Sequence, residues 1–246
     1  MCGRYTLRRG RAKPYGVPES QLPLLVPRYN IAPSQPVPVV LERRSGTGIL
    51  PVNHAQDERA TIRRMEMLKW GLVPSWIKDA DADGGGLINA RAETLELKPS
   101  FAESFLNRRC LIPADGFYEW KRTGKWRQPH FFQMNDESPF AFAGIWDQWE
   151  SGDRSIISCA IITTTPNELL ATIHDRMPVI LTEDAYDAWL RETSDLRELK
   201  TLLAPYPAAA MKSFPVSTKV NSALVEEPQL VEPIVLKPEM TTGRLF

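Results

Sequence analysis

The sequence predicts a single α+β domain built mainly from antiparallel strands. Three observations carry that expectation. Nine short apolar, β-branched or aromatic runs read as strands, against three helical patterns. These runs lack the regular βαβ alternation of a parallel sheet. The length of 246 residues suits one large domain or two small ones, and no fixed-period repeat divides it. A hydrophobic content of 43% with 24% charged residues is that of a chain with a real core, which excludes global disorder.

The first segment is proline-rich: Pro14, Pro18, Pro23, Pro27, Pro33, Pro36 and Pro38 interrupt helices and favour extended, turn-rich chain. Strand-like runs follow at Val37–Leu41, Met65–Leu72, Leu87–Glu93, Arg109–Trp120, His130–Met134, Phe140–Asp147, Ser155–Thr164, Pro178–Leu181 and Phe214–Thr218. Turns separate them at Thr123-Gly124, Asn135-Asp136 and Ser151-Gly152-Asp153. A helix is expected over Pro99–Asn107, with proline in its first turn and Phe101 and Phe105 four apart. A second, Pro166–Ile173, puts Leu169, Leu170 and Ile173 on one face. A third, Thr182–Arg191, opens on a Thr cap, has Glu183 and Asp184 in its first turn, and lines up Tyr186, Trp189 and Leu190. Loops are expected over Ser45–Ile62, Asp79–Gly86 and the tail after Val235. The aspartates from Asp79 are spaced somewhat like a calcium loop, but the twelfth position, where a bidentate Glu is needed, is Ala90, so a flexible insertion is the better reading.

Several function classes fall away. No apolar run approaches the ~18 residues that span a bilayer, so no membrane association is expected. The segment Met1-Cys-Gly-Arg-Tyr5 has no signal-peptide core, so the chain is expected not to be exported. Three distant cysteines make neither a disulfide framework nor a metal-ligand pattern. His54 and His130 have no partner at metal spacing, so no metal and no cofactor are expected. Charge is more informative than its sum. The 30 Lys+Arg cancel 30 Asp+Glu, yet residues 1–44 hold eight basic side chains and two acidic ones, and residues 129–186 hold two and nine. A basic first segment attracts phosphates, or is simply a solvated surface.

Cys2 is the residue with most chemistry to offer. If Met1 is removed, it presents an α-amine and a thiol on one skeleton, with ordinary pKa values of roughly 7.7–8.0 and 8.5. Such a 1,2-aminothiol condenses with an aldehyde: the amine makes an imine and the sulfur closes a thiazolidine. It can also act as an acyl-transfer nucleophile with its own amine as base. A second-position cysteine can equally be accidental. Cys110 and Cys159 lie in apolar runs and read as core. Glu119, in Gly116-Phe-Tyr-Glu-Trp120, is a carboxyl among aromatics, either poised as an acid/base or paired with a cation. His174 is a proton-transfer group or a structural histidine. Asn89 and Arg91 alternate with apolar residues and share a strand face, toward a site or toward water. Trp76, in Val73-Pro-Ser-Trp76, is an aromatic that a turn can hold exposed, as stacking on single-stranded nucleic acid requires.

Six blocks, in order, resemble the SRAP family of SOS response-associated peptidases or abasic-site processing proteins: Met1-Cys-Gly-Arg-Tyr-Thr6, Arg28-Tyr-Asn-Ile-Ala-Pro33, Trp70-Gly-Leu-Val-Pro-Ser-Trp76, Leu87-Ile-Asn-Ala-Arg-Ala-Glu93, Pro113-Ala-Asp-Gly-Phe-Tyr-Glu-Trp120 and Ile173-His-Asp-Arg-Met-Pro178. The resemblance runs from Cys2 to about Val235, within one domain spanning 1–246 with a tail over 236–246. It implies a compact α+β fold with a barrel-like core of antiparallel strands and flanking helices. It implies covalent capture of abasic sites in single-stranded DNA by a monomer located in the cytoplasm with the DNA. By residue, it implies Cys2 as nucleophile, Asn89 as holder of the terminal amine, Glu119 as acid/base and His174 as active-site histidine. Arg4, Arg91 and Arg176 match basic positions near the DNA backbone, and Trp76 an aromatic at the DNA surface. Two other readings stay open: a thiol peptidase, whose simplest substrate is the Met1–Cys2 bond, and a non-catalytic single-strand-binding module.

Overall fold

In the computed structural model, residues 2–9, 15–44, 61–81, 85–192 and 195–236 are described. The chain opens with β1 (Tyr5–Leu7) and β2 (Arg28–Ile31), and then a long pair, β3 (Pro36–Arg44) and β4 (Thr61–Trp70). β5 (Asn89–Arg91) leads through a 3-10 turn into α1 (Pro99–Asn107). Five strands follow: β6 (Arg109–Ala114), β7 (Gly116–Thr123), β8 (Trp126–Met134), β9 (Phe140–Ser151) and β10 (Arg154–Thr164). The last third holds α2 (Glu168–Ala171), β11 (Met177–Pro178), β12 (Ile180–Leu181), α3 (Tyr186–Leu190), α4 (Leu196–Thr201) and β13 (Met211–Pro215).

The long apolar strands close a five-strand barrel. β10, β4, β3, β6 and β9 pair in that order, and β9 pairs back onto β10. Only the β4–β10 junction of this ring is parallel. β6 is buried along its whole length. β9 passes so close to β6 that a Cβ on Gly144 would lie 2.8 Å from the Cys110 sulfur, so only glycine fits there. Beside the barrel lies an open sheet in the order β13-β8-β7-β1-β2. Aromatic rings join the two layers: Phe142 of β9 meets Tyr5 of β1 edge-on at 5.6 Å and Phe117 of β7 at 6.1 Å. The expected α+β architecture with a barrel-like core is what the chain adopts. Among the described residues no helix is long and apolar enough to cross a membrane.

Several local expectations are revised. The run Arg109–Trp120 is two strands, because the chain leaves the barrel at Asp115 and enters the open sheet. The fully buried Asp115 makes that corner: its carboxylate accepts from Thr6 Oγ1 at 2.6 Å, the Arg8 amide at 2.6 Å, the Arg9 amide at 2.9 Å and Arg8 Nε at 3.1 Å. β1 and β2 form inside the proline-rich segment where no strand was expected. The helix expected over Thr182–Arg191 starts as a 3-10 turn (Glu183–Ala185) and becomes α-helical from Tyr186, that over Pro166–Ile173 shrinks to four α-helical residues, and α4 was not expected. Of the loop expected over Ser45–Ile62, Thr61 and Ile62 belong to β4, and residues 45–60, which include His54, lie outside the described residues. So do residues 82–84 of the Asp79–Gly86 stretch and 237–246 of the tail.

Candidate active site

The site forms where the start of the chain lies along β7. β1 pairs antiparallel with β7, Tyr5 opposite Phe117, and the Tyr118 amide donates to the Arg4 carbonyl at 3.0 Å. Continuing that register sets Gly3 beside Glu119 and brings Cys2 next to it. Cys2 is fully buried. A second strand reaches the same point. β5 pairs in parallel with β10, Asn89 opposite Ile161, and its Asn89 Nδ2 donates to the Cys2 carbonyl at 2.9 Å. Asn89 Oδ1 is buried with no hydrogen bond among the described residues. Asn89 therefore holds the Cys2 backbone with one end of its amide and keeps an acceptor beside it with the other.

Glu119 is 2% exposed. Burial pushes its carboxyl up to about 7, against the opposing pull of the positive amino terminus. A carboxyl there exchanges protons at neutral pH in both directions. His174 follows α2, whose N-cap Asn167 accepts from the Leu170 amide at 2.9 Å. The His174 amide closes the turn onto Leu170 O. Its Nε2 stands 4.0 Å from Glu119 Oε2, and its Nδ1 accepts from the Arg176 amide at 3.0 Å. Asp175 Oδ1 is also 3.0 Å from Nδ1, a contact that favours a protonated ring. Burial lowers the His174 pKa, so the neutral tautomer prevails, its Nδ1 lone pair taken by the amide and its Nε2–H facing Glu119. The Cys2 thiol is pushed well above its ordinary range, first by burial and then by Glu119. It is a neutral S–H, 4.0 Å from the Arg4 carbonyl.

The residues expected to meet DNA separate into two kinds. Arg91 ends β5 exposed, and its guanidinium has no hydrogen bond or ion pair among the described residues. Trp76 is 62% exposed on a turn that the Ser75 amide anchors to Asp147 at 2.8 Å. That turn depends on Gly71, whose φ is +138° and whose Cβ would lie 2.1 Å from Gly85 O. Arg4 and Arg176 spend their guanidinium groups on the protein. Arg4 donates to Asn30 Oδ1 at 3.0 Å and to the Val220 and Asn221 carbonyls at 2.6 and 3.3 Å. Arg176 makes a two-pronged pair with Glu93 at 2.6 and 2.9 Å and donates to Thr163 O at 2.6 Å. Two supporting residues escaped the sequence reading. Asn30 accepts from Arg4 and donates to the Ser222 and Val225 carbonyls at 2.8 Å each. Asp115 fixes the residues just after Arg4. Each is a buried polar residue inside one of the six sequence blocks, which was the available signal. Among the described residues no three His, Cys, Asp or Glu side chains group to hold a metal ion.

Residues 1–223 match the family model described as SOS response associated peptidase (SRAP), and this chain belongs to that family. It is 39% identical over 242 residues to the abasic site processing protein YoqW of Bacillus subtilis (strain 168), covering 94% of this chain and 99% of that one. It is 33% identical over 235 residues to the abasic site processing protein HMCES of Gallus gallus, covering 85% of this chain and 67% of that one. A crystal structure of a Bacteroides thetaiotaomicron protein superposes with a TM-score of 0.78 at 26% identity, covering 95% of this chain and all of that one.

Proposed function

We propose that this chain processes abasic sites in single-stranded DNA by capturing them covalently on Cys2 once Met1 is removed. The observation that carries the reading is the meeting of Cys2, Asn89 and Glu119 at one buried point. The relatives named as abasic site processing proteins support it. The ring-opened form of an abasic deoxyribose is an aldehyde. The freed Cys2 amine attacks C1′, forming a C–N bond while the carbonyl oxygen takes a proton from Glu119. The carbinolamine then loses that oxygen as water and becomes an imine. Sγ–H adds across the C=N bond: sulfur goes to carbon and its proton passes through Glu119 to nitrogen. The product is a thiazolidine, and one water is released overall.

Each named side chain has a task in that sequence. Asn89 holds the Cys2 carbonyl, so nitrogen and sulfur of one residue stay aimed at one carbon. Glu119 moves the protons, helped by its raised pKa. His174 presents Nε2–H to Glu119 and can protonate the sugar ring oxygen on opening. Arg91 and Trp76, both exposed, take a phosphate and a base in this reading. An abasic site has no base to flip out of the stack before C1′ is reached. All these groups come from one chain, so a monomer suffices. A thiol peptidase fits less well, because burial and Glu119 both raise the Cys2 thiol, opposite to the depressed thiol such a nucleophile needs.

The test is a denaturing gel after incubation with a single strand bearing one abasic site. A shifted covalent species that disappears in Cys2→Ala supports the proposal. No shifted species, or one that persists in Cys2→Ala, refutes it. Slowing by Glu119→Gln and by Asn89→Ala with unchanged strand binding separates capture from a merely binding module.

A further inference from the structure

A dense run of exposed basic residues takes no part in the site. It is the tip of the β7–β8 hairpin, Lys121-Arg-Thr-Gly-Lys-Trp-Arg127. Lys121, Arg122, Lys125 and Arg127 are all exposed, and none has an acidic partner among the described residues. Trp126 among them is 81% exposed. Among the described residues, the tip is also the part of the open sheet that pairs with no further strand. β1 pairs with β7 only at Gly116 and Phe117, with one further bond to Tyr118, and β13 pairs with β8 only from His130 to Met134. Among the described residues, the strand positions 121–128 pair only with each other, Lys121 opposite Gln128, Arg122 opposite Arg127, and Thr123 opposite Trp126. They form a two-stranded arm that continues the strand carrying Glu119.

Folding does not explain this composition. Arg122 directly faces Arg127, and like charges directly opposite destabilise a strand pair. A large indole left in water at a hairpin tip contributes no core. A cluster of cations around an exposed aromatic is, by contrast, what holds a single strand: phosphates against the cations, a base against the ring. The arm is also near the chemistry. Four residues at ~3.3 Å each put Thr123 about 13 Å from Glu119, a distance of a few nucleotides. Arg122 also reaches the site weakly: it is the smallest of the influences on the His174 pKa, which burial and then the amino terminus lower most.

We propose that the β7–β8 arm is a second nucleic-acid contact, with Lys125 and Arg127 on backbone phosphates and Trp126 stacked on a base of the strand flanking the lesion. The inference rests on the DNA-processing reading of the site and names a surface that reading does not use. Its sequence signal is the run from Lys121 to Arg127, which charge totals over longer windows dilute.

The experiment measures binding to a labelled single strand without any abasic site, by fluorescence anisotropy over a salt series. That readout does not involve covalent capture. Lys125→Gln/Arg127→Gln should weaken binding and flatten the plot of log affinity against log salt by about 1.4, at ~0.7 per phosphate contact on a single strand. Trp126→Ala should lose roughly 5- to 150-fold in affinity, the range of one base–aromatic stack, with a salt slope unchanged from wild type. Slopes equal to wild type in the double variant, together with Trp126→Ala affinity within about twofold, overturn the arm. Failure of the wild-type protein to crosslink an abasic strand overturns the capture reading instead, and leaves this comparison intact.

Discussion

In the barrel, Cys110 lies opposite Leu41 and Gly144, and Cys159 opposite Trp70 and Trp146. On the open sheet, Cys2 lies beside Glu119, under the hand of Asn89. All three are fully buried free thiols, and burial raises all three. What differs is the company. The barrel cysteines sit in apolar strands, with the Tyr5 phenol and each other as nearby titratable groups, and read as small core residues. Cys2 has a carboxyl poised near neutrality and an asparagine whose Oδ1 has no hydrogen bond among the described residues. Burying such polar groups costs free energy unless they are satisfied. The open sheet carries this cost at Cys2, which is where the proposed capture takes place.

The contrast can be broken first at the seam. Phe142→Ala removes the ring that Tyr5, Phe117 and Phe140 pack against. It should cost about 3–5 kcal/mol in guanidinium denaturation, unfolding both layers together. Separate transitions for barrel and sheet would show that the layers are independent.

The next effect belongs to the sheet alone. Between pH 4.5 and about 7 the unfolded chain has released the Glu119 proton and the folded chain keeps it. The folded state binds more protons there, so stability falls as pH rises. The contribution is full below about 4.5 and lost above about 7, a change of about 3 kcal/mol at ~1.36 kcal/mol per pH unit. Glu119→Gln should remove that dependence in denaturation curves at pH 5 and pH 7.5. An equal fall in wild type and variant would place the proton elsewhere.

Asn30→Ala frees the carbonyls of Ser222 and Val225 and one Arg4 contact. It should cost about 1–3 kcal/mol and speed amide exchange over residues 220–225, with the barrel amides unchanged. The smallest effect is at Trp76. Trp76→Ala should alter stability by no more than ~0.5 kcal/mol, as for an exposed side chain, while weakening binding of a single strand.

Much of the barrel was legible in the sequence, because Val37–Leu41, Phe140–Asp147 and Ser155–Thr164 announce strands by their own composition. Pro99–Asn107 was legible to the residue, since its proline and its Phe pair are local signals. β1 and β2 were not. Arg28, Tyr29 and Asn30 become a strand through β1 and through Glu226, which accepts from the amides of Tyr29 and Asn30, and that partner lies nearly two hundred residues away. The run Arg109–Trp120 concealed its corner because Asp115 is stabilised by Thr6 and Arg8, again distant in sequence. Cys2, Asn89, Glu119 and His174 were named with their roles by resemblance; that β1, β5, β7 and the turn after α2 bring them together is visible only in the fold. Spacing alone could not show that Arg4 and Arg176 are tied to Asn30 and Glu93.

The central claim is that Cys2 joins the lesion through both nitrogen and sulfur. Intact mass spectrometry of the protein after incubation with an abasic-site strand tests it directly. The account predicts a species equal to the chain lacking Met1 plus the strand minus one water, resistant to borohydride as a closed thiazolidine is and an imine is not, and absent from Cys2→Ala. A covalent species that retains Met1, that borohydride reduces, or that survives in Cys2→Ala would contradict it.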